Sequence, residues 1–223
     1  MSTRTLFIHI PKNAGTSISA SCPSVATSPR YMNDKMLSVE SMLPRGPNEN
    51  GQAFHKHIPF SYLDKRKIER FDRAFAVVRN PWERLVSLYH HADAIKPRVQ
   101  KTWYDQEKIS WDDFVNRMDT FRIDPTYYWR HPYDQWASQL DWVSIGNKVK
   151  CDILRYEHIQ SDLDSYFETH INLKKENVGV YEKHYTEYYT EEQKEKVANW
   201  FRVDISYWGF SFASGATKNY WIP

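Results

Sequence analysis

The chain reads as a single α/β domain, and three observations support this. Two apolar runs, Leu6–Ile10 and Ala74–Val78, have the composition of buried strands, and each passes directly into residues that open a helix. A later run, Cys151–Tyr156, repeats the pattern, with helical spacing returning from about Ile159 to His170. A length of 223 residues suits one core, so a second full domain is not expected.

The first unit is Leu6-Phe7-Ile8-His9-Ile10-Pro11-Lys12-Asn13-Ala14-Gly15-Thr16-Ser17-Ile18. Pro11 stops the strand, and Gly15 lets the backbone approach a ligand before Thr16-Ser17-Ile18 begin a helix. Unpaired amides at a helix start suit an anionic group. Lys12 adds a mobile positive charge, and the hydroxyls of Thr16 and Ser17 are further donors. In isolation, an ordinary turn with a solvated lysine fits the loop equally well. Residues 19–52 lose periodicity and collect Ser, Pro, Asn and Gly, which predicts an irregular excursion, either a lid or a plain surface loop.

The segment Ala53–Phe60 is extended, and a period of two puts His55 and His57 on one face with Lys56 opposite. An imidazole titrates near neutrality and can take a proton from a hydroxyl. A metal pair would want a third ligand of matching spacing, and none is visible, so no metal is expected. Ser61 and Asp64 suggest a short helix through Arg70.

The second unit runs from Ala74–Val78 into Arg79-Asn80-Pro81-Trp82-Glu83-Arg84-Leu85-Val86-Ser87-Leu88-Tyr89. Asn80 serves as N-cap, Pro81 fits the first helical position, and Glu83 completes a capping-box spacing. Trp82, Leu85, Val86 and Tyr89 form the expected packed face, with Arg84, Ser87 and His91 on another. Arg79 at the strand end and Ser87 two turns into the helix can both reach a phosphate. A surface salt bridge and a solvated serine explain them at least as well in isolation.

Farther on, Ser110-Trp111-Asp112-Asp113 caps a short helix to about Met118, and residues 127–136 mix aromatic rings with Arg and His, suited to stacking on a flat ligand or to loop packing. Ile145-Gly146-Asn147-Lys148 is a tight turn. Glu182–Tyr185 forms a polar loop able to cover a ligand, and Thr190–Gln193 is a third capping box, opening a helix through about Arg202 with Val197, Trp200 and Phe201 inward. The aromatic tail Tyr207–Trp221 is expected to lie against the body.

Thirty Lys and Arg against 28 Asp and Glu give a formal charge of +2, which excludes a general polyanion binder, so no nucleic-acid partner is expected. Two cysteines without a CxxC spacing give neither a disulfide framework nor a zinc site. Met1–Arg4 runs directly into the first strand, so the expectation is a soluble cytoplasmic protein without a membrane partner.

Taken together, IPKNAGTS after one strand and VVRNPWERLVSLY after another resemble the sulfotransferases, the carbohydrate branch above all. The likeness continues through FHKHIPF, LRYEHIQSDL and HYTEYYTEEQKEKVANWFRVDISYWGF, and is weak only over about 19–52 and 92–134, the two excursions of the domain. The resemblance implies a P-loop-like central parallel sheet flanked by helices. It also implies the donor 3′-phosphoadenosine 5′-phosphosulfate, with a hydroxyl or amine of a small molecule or glycan as acceptor.

By the same resemblance, Lys12 contacts the bridging oxygen of the donor. Asn13, Ala14, Gly15, Thr16 and Ser17 hold its 5′-phosphate, Arg79 and Ser87 bind its 3′-phosphate, and Lys183 and Tyr185 lie in a loop over the nucleotide. The base falls to the His-x-His stretch, His55 before His57. A kinase is the enzymatic rival, but a Walker loop places Gly before its Lys-Ser/Thr pair, whereas Lys12 precedes Gly15 here. A catalytically degenerate nucleotide-binding protein is the other alternative.

Overall fold

Three strands with buried side chains on both sides form the centre of the molecule, which is why their sequences are continuous apolar runs. The computed structural model describes residues 4–27, 57, 59–63, 65–95, 110–119, 137–176, 181 and 183–217. Its strands are β1 (Thr5–Ile8), β2 (Ala26–Thr27), β3 (Arg73–Val78), β4 (Ser144–Ile145), β5 (Lys148–Val149) and β6 (Asp152–Arg155). The helices are α1 (Gly15–Ser21), α2 (Lys65–Ile68), α3 (Pro81–Ile95), α4 (Trp111–Asn116), α5 (Gln139–Val143), α6 (Ile159–Phe167), α7 (Glu191–Trp200) and α8 (Arg202–Trp208). Among the described residues no helix is long and apolar enough to cross a membrane.

The main sheet has the order β2-β1-β3-β6 and is parallel throughout, with Phe7 opposite Phe75 and Val77 opposite Leu154. Alternation divides its side chains between two layers. Phe7, Phe75, Val77 and Leu154 pack with Ile18 of α1 and with Leu163 and Tyr166 of α6. Leu6, Ile8, Ala76, Val78 and Ile153 face the opposite layer, where α3, α4, α5, α7 and α8 contribute Leu85, Phe114, Trp142, Val197 and Trp208.

The chain order positions the site. From β1 the chain builds outward to β2, and then returns to lay β3 on the other flank of β1. Strand order therefore reverses between β1 and β3, and the crevice beyond their carboxyl ends is where open parallel sheets bind ligands.

The expected single α/β architecture with a parallel sheet is present, as are the caps. Ser110 Oγ accepts from the Asp113 N–H, and Thr190 and Gln193 form a complete capping box. Four details differ from expectation. Residues 19–27, within the expected excursion, contain the end of α1 and the edge strand β2, which is too short to leave a periodic signal. The second excursion also begins later, since α3 continues to Ile95, while the helix expected after Ser110 lies inside it as α4. The Ser61–Arg70 helix is a 3-10 turn over Phe60–Tyr62 followed by α2. The helix opened by Thr190 breaks at Phe201 and restarts as α8. The aromatic segment 127–136 lies outside the described residues.

Candidate functional site

The loop after β1 has an unusual backbone. Lys12 and Ala14 both have left-handed φ, 68° and 59°, with Asn13 at negative φ between them. Alternation of this kind turns neighbouring amides toward one concave side, the geometry of an anion nest. Side chains from elsewhere take the carbonyls. Arg84 Nε donates to Pro11 O at 3.1 Å, Arg79 Nη1 donates to Lys12 O at 2.9 Å, and the Ile18 N–H of α1 donates to Ala14 O at 3.0 Å. A trans peptide points its N–H opposite its C=O. The amides of Lys12, Asn13 and Gly15 therefore point away from these partners.

Gly15 is required by close approach. A Cβ there would lie 1.8 Å from Nε2 of His9, whose ring is buried and stacked on Phe7. His57 sits against the same ring, with centroids 4.3 Å apart, and its Nδ1 is 3.0 Å from the His9 carbonyl. A carbonyl only accepts, so Nδ1 carries the proton and neutral His57 keeps its lone pair on Nε2. His55 lies outside the described residues.

Across the crevice, Arg79 is buried at the end of β3. Besides Lys12 O it reaches Glu83 Oε1 at 2.8 Å, and its guanidinium lies 4.0 Å from the centroid of the Tyr156 ring. Burial works against its charge, but Glu83, with Tyr156 and Tyr181, more than compensates. Its Nε is a buried donor with no hydrogen-bond partner among the described residues. Lys12 feels the opposite balance. Burial, and then the nearby Arg79, bring its pKa down to about 8. Ser87 is buried two turns along α3.

The turn leading into α3 is closed by hydrogen bonds within the turn and from distant parts of the chain. Asn80 Oδ1 accepts from the Trp82 N–H at 3.0 Å, as expected of an N-cap, and Asn80 Nδ2 donates to the carbonyls of Ser211 and Ser214. The expected capping box does not form. Glu83 is drawn to Arg79, and the Asn80 N–H it would have accepted goes to Glu157 Oε1 at 2.7 Å.

The structure thus brings together Lys12, Asn13, Ala14, Gly15, Thr16 and Arg79. The Asn13 side chain is turned inward, where Nδ2 donates to Val77 O at 2.6 Å and to Gln139 Oε1 at 2.7 Å, so only its amide is available to a ligand. Ser17 Oγ exchanges hydrogen bonds with the main chain of Glu176. Tyr185 approaches through its hydroxyl, which donates to Phe212 O at 2.6 Å and lies 3.5 Å from Asn80 Nδ2. Lys183 is exposed and folds back on its own turn, donating to Glu187 O. Sequence reasoning missed His9, Arg84, Gln139, Glu157 and Asp204. Their partners lie many residues away, so periodicity gave no signal, although HIPK did contain His9.

The Sulfotransferase family profile matches residues 2–209 of the chain. Among curated proteins none matches. Among solved structures, a sulfotransferase from Alicyclobacillus acidocaldarius is similar at 13% identity and a TM-score of 0.47, with 92% of this chain and 94% of that chain covered. With the profile match running through the loop after β1, the Arg79–Ser87 unit and the whole of α8, the chain belongs to the sulfotransferase family.

Proposed function

We propose that the protein moves the sulfuryl group of 3′-phosphoadenosine 5′-phosphosulfate to a hydroxyl of a carbohydrate or other small-molecule acceptor. The observation that carries this reading is the pairing of two cations, the half-buried Lys12 and the buried Arg79, across the switch point of the sheet, beside a loop whose carbonyls are drawn inward. A donor with phosphates at both ends suits two such centres. The fit is supported by the buried Arg79 Nε, which has no hydrogen-bond partner among the described residues, and by a Lys12 pKa that an adjacent anion would raise again.

In this reading the loop amides and Thr16 hold the 5′-phosphate, while Arg79 and Ser87 hold the 3′-phosphate. The acceptor oxygen forms a bond to sulfur as the bond from sulfur to the bridging phosphate oxygen breaks. Charge accumulates on that oxygen, and Lys12 stabilises it by donating a hydrogen bond. The acceptor proton passes to a histidine of the His55–His57 stretch. Nε2 of His57 has the lone pair for this, with Nδ1 anchored on His9 O. A cytoplasmic setting belongs to the same reading and is supported by Cys22 and Cys151 standing as free thiols.

Transfer from sulfur-labelled donor to a panel of carbohydrate, lipid and phenolic acceptors tests the proposal. Label should appear in at least one acceptor, and His57→Ala and His55→Ala assayed alongside should identify the base by a loss of about 100-fold or more. Donor binding without transfer to any acceptor would support a degenerate binder instead.

A further inference from the structure

Gln139 and Asp204 belong to none of the motifs that mark the donor site, yet the contacts of that site converge on them. Gln139 opens α5 and is fully buried. Its Oε1 accepts from Asn13 Nδ2 at 2.7 Å and from the Arg79 N–H at 2.9 Å, and its Nε2 donates to the Arg79 carbonyl at 2.8 Å. The side-chain amide thus pairs with the main chain of Arg79 in both directions, as a neighbouring strand would, one residue beyond β3. With the same oxygen it holds the loop that carries Lys12.

Asp204 of α8 anchors this arrangement from behind. It is fully buried and accepts from Ser138 Oγ at 2.5 Å, the Gln139 N–H at 2.8 Å, the Leu140 N–H at 3.0 Å and Gln139 Nε2 at 3.4 Å. Burial pushes its pKa up, and the donors from Gln139, Ser138 and Leu140, with Arg84 nearby, pull it back. A carboxylate at such depth is costly unless fully hydrogen-bonded. Capping alone does not require it, because Ser138 Oγ already accepts from the Leu140 N–H at 3.1 Å. The additional contacts of this network lead to Asn13 and Arg79, one on each side of the crevice.

We propose that Gln139, held by Asp204, is a positioning residue of the donor site: it sets the separation between the Lys12 loop and Arg79, so that both cations meet one donor molecule. The proposal rests on the donor reading above. Gln139→Met keeps the length of the side chain and removes all three hydrogen bonds to Asn13 and Arg79.

Calorimetric titration with 3′-phosphoadenosine 5′-phosphate should show Gln139→Met binding about 10- to 100-fold more weakly than wild type at unchanged stoichiometry. A residue that only supported folding would lower the stoichiometry and leave Kd unchanged, and that result would overturn the proposal. Should Gln139→Met fail to fold, Gln139→Asn, which keeps the amide but shortens its reach, should show the same split at smaller amplitude.

A second readout needs no donor. Titration of Lys12 by NMR of methylated lysines should move from about 8 in the wild type toward the ordinary lysine value in the variant, as the loop loosens. An unchanged titration would overturn the proposal. Absence of nucleotide binding in the wild type would instead overturn the donor reading, with the Lys12 titration still deciding the role of Gln139.

Discussion

The two strand-to-helix turns at the centre of the sheet occupy neighbouring positions and are built in opposite ways. The turn from β3 into α3 is closed, with Asn80 capping the helix, Pro81 at its first position and Glu157 on the Asn80 amide. The turn from β1 into α1 has Ala14 at its N-cap, in the left-handed region and with no side-chain cap, and its carbonyls are taken by arginines. A closed turn gives stability, and an open one keeps donors for a ligand at some cost to stability. The crevice therefore has one wall whose turn is closed and one whose turn leaves its amides open.

The largest expected effect of breaking this contrast is at Lys12. Lys12→Met should lower sulfuryl transfer by about 100- to 1,000-fold, the scale on which removing one transition-state donor acts. The same variant should be more stable than the wild type. A folded pKa near 8 against 10.5 means that the unfolded chain binds this proton more tightly, so charged Lys12 costs up to about 3 kcal/mol at neutral pH. This cost is fully present below pH 8 and fades as pH rises toward 10.5. Urea unfolding at pH 7 and pH 10.5 should show the stability gain of Lys12→Met shrinking between the two.

Asn80→Ala comes next, since it opens the closed turn. Loss of the cap, together with the Asn80 Nδ2 hydrogen bonds to the carbonyls of Ser211 and Ser214, should cost about 2–3 kcal/mol in urea unfolding. The smallest effect is on the other side of the comparison. Ala14→Gly removes the left-handed penalty of a side chain at φ 59° and should stabilise the protein by about 1 kcal/mol, visible as a raised Tm.

The same contrast explains what was legible in the sequence. Strand runs, the Asn80 and Thr190 caps and the Lys12–Gly15 loop are local patterns, and the structure contains each of them. The partners that complete them are not local. Gln139 meets Asn13 across 126 positions, and Arg84 meets Pro11 across 73. Glu83 shows how a local rule yields. Its spacing fits a capping box, but a buried guanidinium beside it is the stronger attraction. The helical spacing puts Arg84 and Ser87 on a face apart from the packed one, yet both are buried, because α3 is enclosed on more sides than one apolar stripe reveals.

In the proposed function the open turn and Arg79 together bind a nucleotide with phosphates at both ends. Calorimetry of the wild-type protein with 3′-phosphoadenosine 5′-phosphate and with adenosine 5′-phosphate tests it most directly. The 3′-phosphate should tighten binding by about 100-fold, as expected for charge-assisted contacts from buried donors. Equal affinity for the two nucleotides, or binding of neither, would overturn the proposed function.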